Sequence, residues 1–343
     1  YDESRYASSV AEHLGTEHES LVLSQDETLK IVPELTRIYD EPFADSSQIP
    51  TFLVSKLAKT KVTVSLSGDG GDELFGGYNR YFMAPNLWRK MSILPFPLRK
   101  RFAGLLQLAP SSLFHLIESI GLKLTNSTPI QLVEKIQSLS AKLVYVKSKE
   151  DLFYSLISQY RYPHEILNYQ SELSTLANDK MIWGRNEINF QEKMMLTDIV
   201  TYLIDDILCK VDRATMANSL ESRAPFLDPG VVEESFRLPL SFKIRNNKGK
   251  CILRDILYKY VPKELVERPK QGFGVPLKDW INGPLNKTFK DYLSDDALKH
   301  SLLNRQKVQE MFKEHTTEKA NWQYQLWAIY IYQRWIFENN IKP

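Results

Sequence analysis

Apolar residues recur at four-residue spacing from the start of the chain. Tyr6, Val10 and Leu14, followed by Gly15, predict a short helix over residues 2–14 with a glycine at its end. Residues 18–23 read as a strand. Leu29, Val32, Leu35 and Ile38 form the apolar stripe of a second helix over about residues 26–39, in which Pro33 shifts the start and Asp40-Glu41-Pro42 imposes the stop. A third helix is expected to begin at Ser46 or Ser47. It admits Pro50 in its first turn and carries Phe52, Leu53, Leu57 and Ala58 to the lysines at its end. Residues 61–66, short and rich in β-branched side chains, read as a buried strand.

Helix, strand, helix, helix, strand with short connections is the alternation of an α/β fold, a parallel sheet flanked by helices. Ligands of such sheets bind beyond the carboxyl ends of the strands, so the segment after residue 66 is where chemistry is expected. From about Phe82 the pattern changes to long helical stretches punctuated by Pro95, Pro97, Pro110 and Pro129. Residues 194–208 and 322–337 are strongly apolar helix candidates, and both read as core. The expected division is an α/β part over residues 1–80 and a mainly helical remainder over residues 81–343, with no repeat or low-complexity linker between them.

Composition narrows the function classes. A chain of 343 residues, 43% hydrophobic and 25% charged, has the apolar content of a folded protein rather than a disordered one. Its 44 Lys and Arg against 42 Asp and Glu leave +2, which gives no reason to invoke nucleic acid or an anionic membrane as partner. The basic cluster Arg89, Lys90, Arg99, Lys100 and Arg101 reads as a solvated face. The longest apolar run, residues 326–332, is far short of the roughly 20 residues that span a bilayer. Cys209 and Cys251 make no disulfide framework, and a reducing, cytoplasmic location is expected. The six histidines show no metal-ligand spacing.

Residues 67–78, Ser-Gly-Asp-Gly-Gly-Asp-Glu-Leu-Phe-Gly-Gly-Tyr, hold five glycines and three carboxylates. Glycines permit positive φ and close backbone approach, so consecutive N–H groups can face one concavity and hold an anion. Ser67 adds a hydroxyl. The acids would repel a bare phosphate, so a phosphate ligand here implies a neutralising Mg²⁺ with Asp72, joined by Asp69, among its few protein ligands. No Walker A ending, EF-hand spacing, Gly-x-Ser-x-Gly elbow or His-Glu-x-x-His helix is present. A glycine-rich turn whose acids only cap a helix starting near Asp72 is the plain structural alternative.

The same loop, with Asp40-Glu41-Pro42-Phe43-Ala44-Asp45-Ser46-Ser47 before it, resembles the synthetase domain of glutamine-hydrolysing asparagine synthetases. The likeness continues through Lys210-Val211-Asp212-Arg213, residues 220–228 (Leu-Glu-Ser-Arg-Ala-Pro-Phe-Leu-Asp) and residues 268–276 (Arg-Pro-Lys-Gln-Gly-Phe-Gly-Val-Pro) in the family's order. The resemblance implies an ATP pyrophosphatase fold, adenine nucleotide alpha hydrolase-like. It implies a ligase that activates the side-chain carboxylate of aspartate as an acyl-adenylate before ammonia displaces AMP, using ATP and Mg²⁺. By position, Ser67, Gly68 and Gly70 contact the nucleotide, Asp69 serves in forming and using the adenylate, Asp72 is a Mg²⁺ ligand, and Lys270 faces the phosphates. Asp45 and Ser46 fall where the family contacts aspartate. The implied partners are aspartate, ammonia and an amino-terminal glutaminase domain, and a homodimer is compatible with them. Many family members carry glutamate where this chain has Asp69, which shortens the reach of that carboxylate by one methylene.

Neither the Ser-Gly-Gly-x-Asp-Ser pyrophosphate loop nor the glutaminase domain with its cysteine nucleophile is found in this sequence. The expectation is a carboxyl-terminal portion of a longer amidotransferase that by itself binds ATP weakly and does not turn over. Two other readings stay open: a related enzyme that amidates a cell-surface sugar or lactam precursor, and a non-catalytic binding module. Asp212, Arg213, Glu221 and Arg223 are read as an ion-pair network, and Lys250 and Arg254, four residues apart, as a solvated helix face.

Joining a carboxylate to an α-phosphate opposes two anions, a repulsion of roughly 4 kcal/mol per charge pair at 4 Å and an effective dielectric near 20. Cations must cancel it, and a preorganised cation acts most strongly on charge that gathers in the transition state. Lys270→Ala is therefore expected to lower synthetase turnover by about 10²- to 10³-fold with folding intact. Full turnover in that variant would remove Lys270 from the mechanism.

Overall fold

The computed structural model describes residues 4–108, 143–160, 163–168, 176–267, 274–299 and 301–341. Helix α1 (Ser4–Leu14) ends where Gly15 takes φ +65°. The second predicted helix is broken into α2 (Gln25–Ile31), a 3-10 turn (Val32–Glu34) and α3 (Leu35–Tyr39). Pro33 accounts for the break, because it has no N–H for the α ladder. Ser24 and Glu27 form a reciprocal capping box at the start of α2, and Asp40 at φ +55° ends α3. Helix α4 (Gln48–Lys59) carries Pro50 in its first turn, where the missing N–H leaves no bond unmade.

Of the two predicted strands, residues 64–66 form one and residues 18–23 do not. Strand β1 (Val64–Leu66) pairs in parallel with β2 (Glu221–Arg223) in the register Val64 to Glu221, Ser65 to Ser222 and Leu66 to Arg223. Residues 18–23 have no ladder partner among the described residues, and Val22 is 84% exposed. β-branched side chains supply propensity, yet a strand exists only when a neighbour takes its hydrogen bonds. The reading of residues 61–66 as buried is also corrected: Leu66 is 73% exposed, with no layer of described residues over its side chain. The described chain is thus mostly helical with one small parallel sheet.

Helix α5 (Gly71–Phe75) follows the loop after β1, and α6 (Arg80–Met91) and α7 (Phe96–Leu108) come next. The basic cluster on α6 and α7 is not wholly solvated. Arg99 is 4% exposed, with its guanidinium 5.7 Å from the ring centres of both Trp88 and Phe96, so the aromatic residues interleaved with the cluster cover it. The predicted helix over residues 194–208 is interrupted. Helix α8 (Phe190–Val200) ends at Thr201 (φ −127°, ψ −83°), a π-helical stretch occupies Leu203–Leu208, and α9 (Cys209–Met216) resumes the α ladder. Pro110 and Pro129 lie outside the described residues.

Helix α10 (Cys251–Leu257) lies beneath α5, and α11 (Leu277–Asn282), α12 (Asn286–Tyr292) and α13 (Gln323–Glu338) close the chain. The main core joins Val32, Leu35, Tyr39 and Ile49 from the early helices to Trp280, Phe289, Trp327 and Tyr330 from the last ones. Phe289 stacks on Tyr330 at 4.6 Å between ring centres. A second core gathers Tyr81, Phe153, Phe190 and Met194 behind the loop. Among the described residues, no helix is long and apolar enough to cross a membrane.

Candidate active site

Parallel pairing places the carboxyl ends of β1 and β2 side by side, and Ser67 N–H continues the ladder to the Arg223 carbonyl at 2.8 Å. The glycine-rich loop leaving β1 therefore lies against residues 224–228 leaving β2. At Gly70 (φ +84°) a β-carbon would run into the Leu227 side chain, and Gly71 leaves only enough room for the Phe226 ring. Phe226 meets Phe75 edge-on at 5.8 Å. Two of the sequence motifs thus form one surface.

A third segment closes on the loop from the other side. Residues 244–250 fold into a tight hairpin in which Arg245 and Lys248 exchange backbone hydrogen bonds of 3.0 and 2.8 Å. Asn246 and Asn247 occupy its two central positions at φ +51° and +59°, the pair of positive values that a type I′ turn demands. Lys250 N–H donates to the Phe75 carbonyl at 2.9 Å. A β-carbon on Gly249 would collide with the Gly76 carbonyl oxygen, and one on Gly77 with the Asp72 carboxylate and the Lys250 stem. In this fit Lys250 Nζ lies 3.1 Å from Asp72 Oδ1. The solvated-face reading of Lys250 is corrected accordingly, since the hairpin turns that side chain onto the loop. Lys270 lies outside the described residues.

The loop's three carboxylates do not share one environment. Glu73 is 1% exposed and turned inward, where the Tyr78 hydroxyl donates to its Oε1 at 2.5 Å, and burial pushes its carboxyl up. Asp69 and Asp72 stay partly accessible. Ser67 Oγ is buried without a hydrogen-bond partner, and no atom stands within 4 Å of a β-carbon on Gly68. An unmet hydroxyl, open space over a glycine and a partly exposed carboxylate form a set that suits a phosphate-bound Mg²⁺. Among the described residues no three His, Cys, Asp or Glu side chains converge as an all-protein metal cage. Mg²⁺ needs none where phosphate and water complete its shell.

Behind the loop, Arg80 lies over the rings of Tyr78 and Tyr202 at 4.1 and 5.2 Å and donates from Nε to Asp198 Oδ2 at 3.0 Å. Tyr202 leads into the π-helical stretch that carries Asp206. There Lys210 Nζ bonds Asp45 Oδ2 at 2.6 Å and stands 3.5 Å from Asp206 Oδ1. Asp45 also accepts from the backbone N–H and hydroxyl of Ser47 at 3.0 and 2.6 Å. Ser46 is buried, and its carbonyl accepts from Ile49 N–H at the start of α4. Burial opposes the charge on Asp45, but Lys210 and the Ser47 donors hold its carboxyl below the usual range. Burial and then the Asp45 charge push Asp206 up to about 7, against the pull of Lys210. The sequence pattern does not single out Asp206: it is one of three aspartates, with Asp198 and Asp205, inside an apolar stretch that reads as core.

The expected four-residue ion-pair network does not form among the described residues. Glu221 pairs with Arg223 on β2 itself at 2.7 Å, with both side chains more than half exposed. Asp212 and Arg213 instead line a cleft of about 650 Å³ with Glu34, Arg37 and Phe52. Glu221 and Arg223 share one face of β2 and satisfy each other there, which leaves neither for α9.

The asparagine synthase family model matches residues 1–337. The chain belongs to the asparagine synthase family. Asparagine synthetase [glutamine-hydrolyzing] 1 of Bacillus subtilis is 30% identical over 98% of this chain and 50% of its own length. The putative asparagine synthetase [glutamine-hydrolyzing] of Mycobacterium bovis is 31% identical over 100% of this chain and 50% of its own. Amidase chyE of Penicillium rubens is 32% identical over 25% of the chain and 14% of its own length. This asparagine synthase family chain spans about half the length of the curated relatives that it matches end to end.

Asp206 provides a test in solution. Its folded value near 7 lies above the ordinary value of 3.8, so between them the folded chain binds more protons than the unfolded one. Stability contributed by the protonated group is present below about pH 4 and is lost as pH rises through 7. Asp206→Asn is expected to flatten that part of the profile, read as the change in urea midpoint between pH 5 and pH 8. A variant whose midpoint falls as steeply as the parent's would show that Asp206 is not held protonated.

Proposed function

We propose that this chain is the synthetase domain of an ATP-dependent amidotransferase, which makes asparagine from aspartate through a β-aspartyl-adenylate with ammonia released from glutamine by a separate domain. The observation that carries the reading is the Asp72 to Lys250 pair, a carboxylate and an ammonium pressed into a glycine-cornered loop at the end of a parallel strand. Belonging to the asparagine synthase family supports it.

In this reading Ser67 Oγ and the backbone of Gly68 and Gly70 receive the nucleotide. Asp72, with Asp69 beside it, holds Mg²⁺, which when bound offsets the charge on the phosphates. Lys250 brings a second positive charge to the same edge, and the family resemblance assigns Lys270 as a further cation for the phosphates. Together they relieve the repulsion between the aspartate carboxylate and the α-phosphate. The carboxylate oxygen then attacks phosphorus, the bond to pyrophosphate breaks, and ammonia displaces AMP from the acyl carbon. Asp69 accepts a proton from the attacking nitrogen. Asp45 and Ser46, with Lys210 and Asp206, recognise the amino-acid end of the substrate.

The exposed face of β1 supports a finer view of the fold. β1 has one ladder neighbour among the described residues, and Leu66 at 73% and Val64 at 39% exposure present an apolar face. An open edge and an uncovered apolar face both suit a larger sheet flanked by helices, as in an adenine nucleotide alpha hydrolase-like fold, with residues 1–80 as its nucleotide-binding part. The short match to Amidase chyE favours a second reading, the same activation with another carboxylate acceptor.

The deciding measurement uses the full-length protein with ATP, Mg²⁺, aspartate and either glutamine or ammonium. Equal amounts of AMP, pyrophosphate and asparagine are expected. Aspartate-independent AMP would point to a different acceptor, and ADP with inorganic phosphate, or no turnover at all, would overturn the proposal.

A further inference from the structure

Glu267 lies outside the glycine-rich loop, yet three donors from the segment that carries Lys250 converge on it. Lys248 Nζ reaches its Oε2 at 3.0 Å, while Arg254 Nη1 and the Tyr258 hydroxyl both donate to Oε1. These residues bracket Lys250, two positions before it and four and eight after. Arg254 turns back as well: its Nε donates to the Gly249 carbonyl at 3.0 Å and its backbone N–H to the Lys250 carbonyl at 2.9 Å. Lys250 itself stands at φ +57°, ψ +33° as the residue before α10, with no side-chain cap to hold it there. A residue with a β-carbon keeps that conformation only where its surroundings impose it. Of the surroundings, the Gly76–Gly77 backbone lies on one side and the Arg254 fork on the other.

We infer that Glu267 is a positioning residue for the Lys250 to Asp72 pair: one carboxylate gathers Lys248, Arg254 and Tyr258 and thereby fixes the left-handed turn from which Lys250 reaches the loop. The functional half of this inference rests on the reading of that loop as the nucleotide site. The hydrogen bonds from Tyr258 and Lys248, with the Arg254 charge, hold the Glu267 carboxyl down at about 2, so the anchor stays ionised throughout the working range of pH. Exposed ion pairs in general do little. The neighbouring Arg245 to Asp255 pair, 2.5 Å long with both side chains at least half exposed, lines the same cleft of about 370 Å³ and provides the matched comparison.

The test compares Glu267→Gln, Glu267→Asp and Asp255→Asn with the parent chain. Amide hydrogen exchange at Lys250, whose N–H donates to the Phe75 carbonyl, is expected, read without nucleotide, to speed up about tenfold in Glu267→Gln, with exchange in α12 unchanged. Glu267→Asp should recover part of the protection, and Asp255→Asn should match the parent. In the full-length protein Glu267→Gln should raise the KM for MgATP about tenfold while lowering kcat less. Unchanged exchange at Lys250 in Glu267→Gln, or faster exchange with unchanged KM, overturns the inference. Absence of AMP formation by the unsubstituted full-length protein would instead count against the proposed function, and the exchange result would still decide whether Glu267 positions Lys250.

Discussion

Between Gly249 and the carbonyl of Gly76 there is no room for a side chain, and the geometry of the site follows from that lack of room. Two backbones touch, so the hairpin of residues 244–250 is fixed against the loop of residues 67–77 instead of floating over it. The contact sets the backbone from which the Lys250 ammonium reaches the Asp72 carboxylate at 3.1 Å. Preorganisation of this kind matters more for chemistry than the strength of the ion pair itself, because a group already in place needs no reorganisation as charge develops. The glycines on both sides of the contact are required for that reason.

A second polar system lies on the far side of Tyr78. From Glu73 it runs through Tyr78, Arg80 and Tyr202 to the Asp45, Lys210 and Asp206 cluster. Its charges differ in character from those at the loop. Asp69 and Asp72 meet water, while Glu73 and Asp206 are pushed towards neutrality by burial. The chain therefore places acids that meet water and acids enclosed by burial within one stretch of structure. At the Asp206 end the backbone is π-helical over Leu203–Leu208, a turn wider than the α-helices on either side of it.

Much of this was legible in the residues themselves. Spacing gave α1, α4 and α13 close to their observed ends, and the density of glycine and acid after β1 marked the loop, because caps, turns and apolar stripes are local signals. Strands were less legible. Residues 18–23 look like a strand and have no partner among the described residues, while Glu221, Ser222 and Arg223 look like none and pair with β1. Pairing is a property of two segments, and only one of them is in view when a window is read. Arg99 was misread for a related reason, since its charge is local information and the rings that cover it are not. Lys250 was within reach: Asn246 and Asn247 followed by Gly249 are a hairpin signal, and only the register of that hairpin shows where the lysine points.

The parallel ladder has a consequence in time. Ser65 and Glu221 are 156 residues apart, so at a synthesis rate of about 5–20 residues per second β1 leaves the ribosome roughly 8–30 s before the strand it needs. During that interval β1 has no ladder partner and the acidic loop lacks residues 224–228 and 244–250, and closing so long a segment cannot be hurried by local contacts. The part of the molecule best suited to chemistry is thus completed late in its own biogenesis, which exposes it to capture by chaperones and proteases before it can meet a substrate.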